Sequence, residues 1–311
     1  MKLRFFLTLA LVLPLAAEVK ITQKADRIQV EIDGSPFTDF FIGEDAPKPY
    51  LHPLRSASGK IVTRRFPMEQ VEGEVRDHPH HRGLWFSHGD VNGYDFWANE
   101  RSSKRPKSGL ITLKKVNSVK SGSKSGSVSA SFEWKEPDGK LLLTEDRVMV
   151  FYSDPKLRTI DLDIKLTPAQ KVKFGDTKEG CFAIRLADPL NEKHSGKMVS
   201  ADGKRGESEV WGTRSPWVDY HGEVDGEKLG IAIMDHPSSP RHPTYWHSRS
   251  YGLFAANIWG LHDFLNDKTK DGSMTLAPGD AIRFRYRVVI HPGDEQSANI
   301  AELYKAYSKT K

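Results

Sequence analysis

Two segments of the chain alternate between apolar and charged residues, and this alternation limits the possible folds more than any other feature of the sequence. In segment 158–167, apolar residues at every second position are separated by aspartate and lysine. In segment 282–290 the same period recurs, with three arginines at alternate positions. Because successive side chains of a β-strand point to opposite faces of a sheet, the pattern predicts two half-buried strands against one core.

Strand-like patterns recur along the rest of the chain, separated by glycine-containing turn sequences. They lie at 27–32, 110–119, 128–134, 141–152, 181–187, 229–234 and 253–259. The spacing of an amphipathic helix occurs near the C-terminus, in Ile300, Leu303, Tyr304 and Tyr307. Strands without intervening helices predict an all-β fold, a large antiparallel β-sandwich with a C-terminal α-helix. The serine- and glycine-rich run 121–127 is interpreted as a long hairpin loop.

Residues 1–17 have the composition of a secretory signal peptide. Lys2 and Arg4 precede an uncharged, mostly apolar run over 5–17. That run is shorter than the roughly 20 apolar residues that a membrane-spanning helix needs. We therefore predict that 1–17 are removed, that 18–311 form a single β-sandwich domain, and that the protein is periplasmic or secreted and not integral to the membrane. A retained anchor is the alternative.

The charge balance argues against nucleic acid as a partner. Without Lys2 and Arg4, the basic residues only slightly outnumber the 41 acidic ones, and the two signs are interspersed. Nucleic-acid binding requires a concentrated basic patch. The single cysteine, Cys181, cannot form an internal disulfide and is interpreted as a small core residue.

Four of the twelve histidines fall within the eleven residues from His78 to His88. His78 and His80 are two positions apart, so an extended backbone would point both imidazoles to one face and His81 to the other. His88 would rejoin them after the short apolar stretch 84–86. Imidazoles gathered in this way are typical of a metal site or of an acid–base site.

Three hypotheses follow from this spacing. In the first, His78 and His80, with or without His88, ligate a divalent metal such as Zn²⁺. A further ligand, or an acceptor that orients the imidazoles, would be Asp77, Asp90 or Asp95. In the second, the histidines transfer protons without a metal, and Arg82 holds substrate oxygens. In the third, backbone carbonyls satisfy the imidazoles in a tight turn.

A second polar and aromatic cluster, 234–247, follows an apolar strand pattern. Three prolines restrict its backbone and would hold Arg241, Tyr245, Trp246 and His247 in fixed directions. Loops that leave a rigid sheet are common places for binding sites. Rigid surface turns are the structural alternative.

The tryptophans suggest what such a site would bind. Five of the seven tryptophans fall in segments 77–97, 211–221 and 234–247, beside arginine, histidine and aspartate; they are Trp85, Trp97, Trp211, Trp217 and Trp246. An aromatic face covers the apolar face of a pyranose, while charged and amide groups bind its hydroxyls. The combination favours a carbohydrate small molecule or glycan as the partner, although each tryptophan alone would suit a core.

Several motifs of the chain resemble a bacterial family of unknown function labelled methane oxygenase PmoA-like. The motifs are HPHHRGLW at 78–85, HGDVNG at 88–93 and FW at 96–97, and the resemblance extends from 49–54 to 291–293. A membrane methane monooxygenase subunit needs several membrane-spanning helices, and this sequence has no such segment after its N-terminal run. The resemblance therefore does not imply an oxygenase.

A second resemblance is to the aldose-epimerase, or galactose mutarotase-like, group. PYL at 49–51, RRFP at 64–67 and the histidine cluster are similar in order to the N-terminal half of that group. The resemblance implies a large antiparallel β-sandwich that acts on sugars with histidine acids and a carboxylate base. No glutamate on a late strand matches that base, which leaves Glu179 and Asp235 as candidates.

Together these predictions describe an exported carbohydrate-active enzyme of epimerase, lyase or hydrolase type. The catalytic histidines would be His78, His80, His81 and His88. The substrate would be held by Arg82, Asp90, Asn92, Trp97, Arg241, Tyr245, Trp246 and His247. One alternative is a non-catalytic carbohydrate-binding protein of the cell envelope, which has less use for titratable imidazoles. A purely structural envelope protein is another.

Overall fold

The alternating patterns form β-strands in the computed structural model, which describes residues 18–103 and 105–311. The strands are β1 (Val19–Gln23), β2 (Arg27–Ile32), β3 (Ser35–Phe41), β4 (Tyr50–His52), β5 (Leu84–His88), β6 (Leu110–Lys120), β7 (Ser125–Lys135), β8 (Leu141–Tyr152), β9 (Arg158–Pro168), β10 (Val172–Phe174), β11 (Gly180–Arg185), β12 (Lys197–Ser200), β13 (Trp217–Val224), β14 (Glu227–Asp235), β15 (Tyr245–Ser248), β16 (Leu253–Asn257), β17 (Met274–Leu276) and β18 (Ile282–Pro292). The helices are α1 (Gly206–Val210), α2 (Leu261–Phe264) and α3 (Ile300–Tyr307), with 3-10 turns at Arg101–Ser103 and Asp188–Leu190. The signal peptide predicted for 1–17 lies outside the described residues and stays a prediction.

Two eight-stranded antiparallel sheets pack face to face. The first has the strand order β1-β2-β3-β4-β5-β11-β16-β15, and the second has the order β12-β13-β14-β18-β9-β8-β7-β6. Aromatic rings join them across the core: Phe182 stacks on Tyr286 at 4.4 Å between ring centroids, and Phe86 contacts Phe284 at 5.3 Å. Burial of each such ring stabilises the fold by about 2–3 kcal/mol. The predicted antiparallel β-sandwich is confirmed.

The paired strands β9 and β18 show why the sequence alternates. Their apolar side chains point into the core, and their charged side chains pair on the outer face of the second sheet. Arg283 donates from Nε to Asp163 Oδ1 at 2.7 Å, and Arg287 donates to Asp161 at 2.6 Å. The hairpin between β6 and β7 is shorter than predicted, because residues 125–127 extend β7 and leave 121–124 as the connection.

Helix α3 packs on the outer face of the second sheet, as the amphipathic spacing predicted. Ile300 and Tyr307 are buried there against Trp217 and Val289. The connection from β18 to α3 therefore passes close to β13 and β14. This part of the outer face is covered without a third sheet.

The outer face of the first sheet has a row of buried side chains, part of which packs against Trp97. Trp85, Ala183, Ala255 and His247 are directly paired across β5, β11, β16 and β15. Their neighbours along each strand point into the core, so this row points outward. Since the two alanines are small, the row forms a floor between the larger Trp85 and His247.

Candidate functional site

Arg64 shapes the turn that carries the first histidines. Its guanidinium, which is fully buried, donates to the carbonyl oxygens of Asp77 at 2.7 Å and His78 at 2.8 Å, and to the Asp77 carboxylate. Arg185, 1% exposed in its side chain, donates to Asp77 Oδ1 at 2.7 Å. Burial alone would raise the pKa of Asp77, but Arg185, the hydrogen bond to His78 and Arg64 together lower it. Asp77 is thus an anion clamped by two buried cations.

The histidines lie in a β-turn, so the predicted extended backbone at 78–81 is wrong. His78 has a φ of 43°, and the His81 amide donates to the His78 carbonyl at 3.0 Å. The turn places all three imidazoles on one side: His81 stacks on His78 at 4.8 Å, and His80 meets His81 edge to face at 4.4 Å. The prediction that His81 points away from His78 and His80 is also wrong, because it assumed an extended backbone. Arg64 donates to the His78 carbonyl and holds the backbone in the turn.

These rings form one wall of a cavity of about 420 Å³, which we call the histidine cavity. Its lining residues are His78, His80, His81, Asp95, Trp97, Ala98, Arg105, Lys178, Glu179, His247, Arg249 and Tyr251. The volume lies within the range of roughly 300–1,000 Å³ that small-molecule pockets occupy. Five of the residues predicted for a site come together here: His78, His80, His81, Trp97 and His247.

Burial keeps three of the imidazoles neutral. It lowers the pKa of His80 to about 3 and that of His247 to about 3, and it holds the pKa of His81 well below its ordinary value. His247 Nδ1 lies 2.8 Å from the carbonyl oxygen of Lys178, which can only accept. Nδ1 therefore carries the proton of the neutral ring, and Nε2 is an acceptor.

His78 and Tyr251 are oriented by charged partners. Asp77 Oδ2 lies 3.0 Å from His78 Nδ1, which fixes the ring and leaves its Nε2 for a ligand. Tyr251 stacks on His78 at 5.4 Å, and the Arg185 guanidinium covers the phenol ring at 4.7 Å. Burial raises the pKa of Tyr251 to about 12, so its hydroxyl stays a donor at neutral pH.

Charged residues of both signs complete the lining. Lys178 pairs with Glu179 at 3.2 Å, and Arg105 pairs with Asp95 at 3.6 Å. Arg249 pairs at 3.0 Å with a glutamate that is not part of the lining. The cavity thus offers cations, carboxylates and neutral imidazoles to an oxygen-rich ligand.

A buried lysine, Lys48, supports the part of the cavity wall that Trp97 forms. Lys48 is fully buried, and its Nζ donates to the Trp97 carbonyl at 2.8 Å and to Asn99 Oδ1 at 2.7 Å. Burial lowers the pKa of Lys48 to about 7. Trp97 also contacts Trp85, the floor residue, at 5.0 Å between ring centroids.

Two residues predicted for catalysis and binding lie elsewhere. His88 is fully buried at the end of β5, where its Nε2 lies 2.8 Å from the carbonyl oxygen of Gly175. Arg82 makes two hydrogen bonds of 2.7 Å to the Glu100 carboxylate and lies over the Tyr50 ring. Both side chains are outside the lining of the histidine cavity.

Asp90 and Asn92 shape a turn instead of lining the cavity. Asp90 accepts a hydrogen bond of 2.9 Å from the amide of Gly93. Asn92, exposed and with a φ of 54°, accepts a hydrogen bond of 2.7 Å from the amide of Lys173. These contacts tie the turn after β5 to β10.

The residues predicted from the 234–247 segment separate because of strand alternation. On β15, Trp246 points into the core and donates from Nε1 to Ser215 at 2.9 Å, whereas His247 points outward to the cavity. Tyr245 stacks on Phe264 at 5.4 Å. Arg241 donates to three backbone carbonyls at 258, 272 and 273.

The two candidates for the general base also separate. Glu179 lines the histidine cavity. Asp235 is buried at the end of β14, where its Oδ2 lies 2.7 Å from His242 Nδ1 and accepts from the Thr244 amide. Burial raises the pKa of Asp235. Glu179 is therefore the candidate that can reach a ligand in the cavity.

The proposed metal ligands His78 and His80 do not gather a third ligand. Their ring centroids are 5.7 Å apart, and Asp77 already occupies His78 Nδ1. Within residues 18–103 and 105–311, the group of three metal-binding side chains that converges is a different one, on the second sheet.

Sequence patterns missed four charged or aromatic residues of the lining: Arg105, Lys178, Arg249 and Tyr251. Lys178 lies two residues before β11, and Arg249 and Tyr251 lie in the connection between β15 and β16. All three follow from strand order, because β5, β11, β16 and β15 are neighbours in the first sheet. A search for charged and aromatic residues beside strand ends would have found these residues. Only the pairing of the strands shows that they meet in one cavity.

The buried His88 gives a prediction for stability against pH. Burial lowers its pKa to about 4, so the folded protein prefers the neutral ring. This contribution is complete above the ordinary value of 6.5 and is lost as the pH falls toward 4. Between these values, His88→Gln should reduce the slope of unfolding free energy against pH by up to about 1.4 kcal/mol per pH unit. Urea titrations at several pH values test it, and a slope equal to that of the wild type would contradict it.

Comparison with known proteins assigns the chain to a family. Residues 27–305 match the model of a family of unknown function, DUF6807. The chain belongs to this family. The matching model carries no methane-oxygenase description, so the PmoA-like label predicted above is not supported by it. No curated protein matches the sequence.

Solved structures with a similar arrangement share little sequence with this family member. A galactose mutarotase-like protein from Clostridium acetobutylicum is 10% identical, with a TM-score of 0.40 over 88% of this chain and 98% of that one. Galactose 1-epimerase from Lactobacillus acidophilus is 8% identical, with a TM-score of 0.39 over 90% and 99%. A heparan sulfate lyase HepC mutant from Pedobacter heparinus is 10% identical, with a TM-score of 0.41 over 94% of this chain and 38% of the lyase. The chain thus spans well under half of that lyase.

Helices of the described residues are too short or too polar to cross a membrane.

Proposed function

We propose that this protein is a carbohydrate-active enzyme that binds a sugar in the histidine cavity and transfers protons through His78. The observation that carries the proposal is the Asp77–His78 pair beside a cavity with three neutral imidazoles. A carboxylate that holds one imidazole nitrogen fixes the ring and supports proton exchange at the other. Epimerisation, elimination and hydrolysis of sugars all require such a proton transfer.

The other lining residues suit recognition of a sugar. His80, His81 and His247 are neutral imidazoles that can accept from hydroxyl groups, and the Tyr251 hydroxyl can donate. Trp97 also lines the cavity, and with 1% of its surface exposed it offers a sugar a small aromatic contact. Hydrogen-bonding groups that surround an aromatic wall are the usual composition of a sugar site.

The charged residues of the lining would have two further roles. Lys178 and Arg249 would hold ligand oxygens, and Glu179 would act as the carboxylate partner of His78 in a reaction that needs a base and an acid. Perturbed titratable groups that share a cavity favour a catalytic role over a purely structural one. A binding protein would need the aromatic wall and the donors but not the Asp77–His78 pair.

Sugar binding and turnover test the proposal separately. Saturation-transfer NMR with glucose, galactose, glucuronate and galacturonate should show binding that Lys178→Ala weakens. Lys305→Ala, at an exposed lysine of α3 on the outer face of the second sheet, should leave binding unchanged. The same spectra, followed over time with glycosides of these sugars, should show turnover. Absence of binding by all probes would contradict a sugar site. Binding without turnover of any glycan tested would contradict the enzyme and favour the non-catalytic carbohydrate-binding protein.

A further inference from the structure

A second group of ionisable side chains lies on the outer face of the second sheet, near the connection from β18 to α3. Asp219 and His221 are two residues apart on β13 and share one face of that strand. Glu295 reaches them from the connection. The adjoining cavity, about 450 Å³ in volume, has no lining residue in common with the histidine cavity. The group is therefore separate from the proposed sugar site.

The distances within this group match those between ligands of one cation. His221 Nδ1 lies 2.9 Å from Asp219 Oδ1 and 3.4 Å from Glu295 Oε2, and one ligand atom of each residue lies within 4.8 Å of the others. Ligands about 2.0–2.2 Å from a tetrahedral zinc ion are about 3.3–3.6 Å apart. Small side-chain movements would bring all three atoms to that spacing.

A buried histidine orients Asp219 from behind. His291 Nε2 lies 2.7 Å from Asp219 Oδ2, and both side chains are fully buried. His221, Gly230 and His291 are paired across β13, β14 and β18, so the His291 ring crosses over the glycine. A Cβ at Gly230 would lie 2.3 Å from the ring, which leaves no room for a larger residue. Metal-binding carboxylates are usually oriented by such a hydrogen bond from an outer side chain.

The group is open on one side. His221 lines the adjoining cavity together with Lys197, Lys228 and Asp294, and its side chain is 14% exposed. Solvent or an anionic ligand can therefore approach His221 from this cavity. Three protein ligands with one open position are the usual composition of a zinc site that binds a further ligand.

We propose that Asp219, His221 and Glu295 bind a divalent transition-metal cation, with Zn²⁺ as the cation that suits them best. One imidazole and two carboxylates favour zinc over magnesium or calcium, which prefer oxygen ligands alone. Binding replaces the hydrogen bond between His221 Nδ1 and Asp219, and the ring then ligates as a neutral imidazole that carries its proton on Nε2. Arg205, whose guanidinium lies 3.6 Å from Glu295 Oε1, moves away or remains beside the outer oxygen.

The alternative is a group of ion pairs that stabilises the connection to α3 without a metal. It predicts that Glu295 contributes to stability in the absence of metal and that added zinc changes nothing. The metal site predicts instead that zinc raises the unfolding temperature and that this increase depends on Glu295. The two explanations therefore differ in the change of unfolding temperature that zinc causes.

Isothermal titration of Zn²⁺ into the metal-free protein, prepared without a histidine tag, tests the proposal. We expect one zinc ion per chain with micromolar or tighter affinity. Glu295→Gln and His221→Gln should each weaken binding by roughly tenfold or more, because each removes a ligand. Co²⁺ substitution should give an absorption band in the visible range that both variants lose, which reports on coordination independently of folding.

Two control variants make the result specific. Glu302→Gln removes the same charge from an exposed position on α3 and should leave zinc affinity unchanged. His80→Gln removes an imidazole from the histidine cavity and should also leave it unchanged. The proposal is wrong if the wild type binds no zinc, if Glu295→Gln binds as the wild type does, or if His80→Gln loses the binding. Circular dichroism of each variant confirms that it is folded.

Discussion

Replacing His78 by asparagine is expected to lower kcat by roughly 100-fold or more, because it removes the imidazole that Asp77 orients for proton transfer. The unfolding free energy should change by less than about 1 kcal/mol, since the His78 side chain is 42% exposed. Asparagine tolerates the positive φ at this position better than most residues. Steady-state kinetics on the substrate identified by NMR, together with urea denaturation, measure both quantities.

Comparison with His80 separates proton transfer from binding. The sequence alone suggests His80 as an equivalent catalytic group, but a pKa of about 3 makes its ring a weak base at neutral pH. His80→Ala should therefore raise KM more than it lowers kcat. His194→Asn, at a histidine outside the cavity, should change neither. If His78→Asn keeps the kcat of the wild type while His80→Ala loses it, the assigned roles are reversed and the proposal for His78 fails.

The predictability of the strands depended on whether one of their faces is polar. Strands β8 and β9 alternate because one face is in the core and the other is in water, and their bounds were predicted within a residue or so. Strand β5 is buried along its whole length and lies inside the histidine-rich segment, where no alternation marks it. Buried strands have no polar face, so the sequence indicates them only where the apolar run is long enough, as in β11, β14 and β16.

The site was predictable where residues were close in sequence and unpredictable where pairing brought them together. His78, His80 and His81 were found from their density alone. Arg249 and Tyr251 belong to the connection between β15 and β16, and only the order of strands in the first sheet places them opposite the histidines. Strand order depends on contacts between distant segments, which no local pattern encodes.

Local geometry produced the remaining errors. An H-x-H spacing predicts one shared face only if the backbone is extended. Here Arg64 donates to the carbonyls of Asp77 and His78 and holds them in a turn. Arg64 lies more than ten residues before the histidines, so its effect on their direction could not be inferred from their spacing. The same turn is what brings the carboxylate of Asp77 to His78.

Replacing Asp77 by asparagine is expected to lower the unfolding free energy by about 3 kcal/mol, because it leaves two buried guanidinium groups without the carboxylate that they share. Arg64 and Arg185 are almost fully buried, while the Asp77 side chain is 34% exposed, so water replaces only part of the lost interaction. The change should also lower kcat, since the amide of the variant no longer offers a carboxylate to orient the His78 ring through Nδ1. Urea denaturation monitored by tryptophan fluorescence measures the unfolding free energy. Steady-state kinetics at urea concentrations below the unfolding transition measure kcat.

The matched control for Asp77 is an aspartate that pairs with an exposed arginine. Asp163 accepts from Arg283, whose side chain is 63% exposed, so Asp163→Asn should cost less than about 1 kcal/mol. The two variants remove the same charge and differ in the burial of the cation left behind. If both lose the same small amount, Asp77 does not stabilise the buried arginines. A large loss for Asp77→Asn alone would show that the carboxylate that orients His78 also stabilises the turn. The geometry of the proposed acid–base group and the stability of the fold would then depend on one side chain.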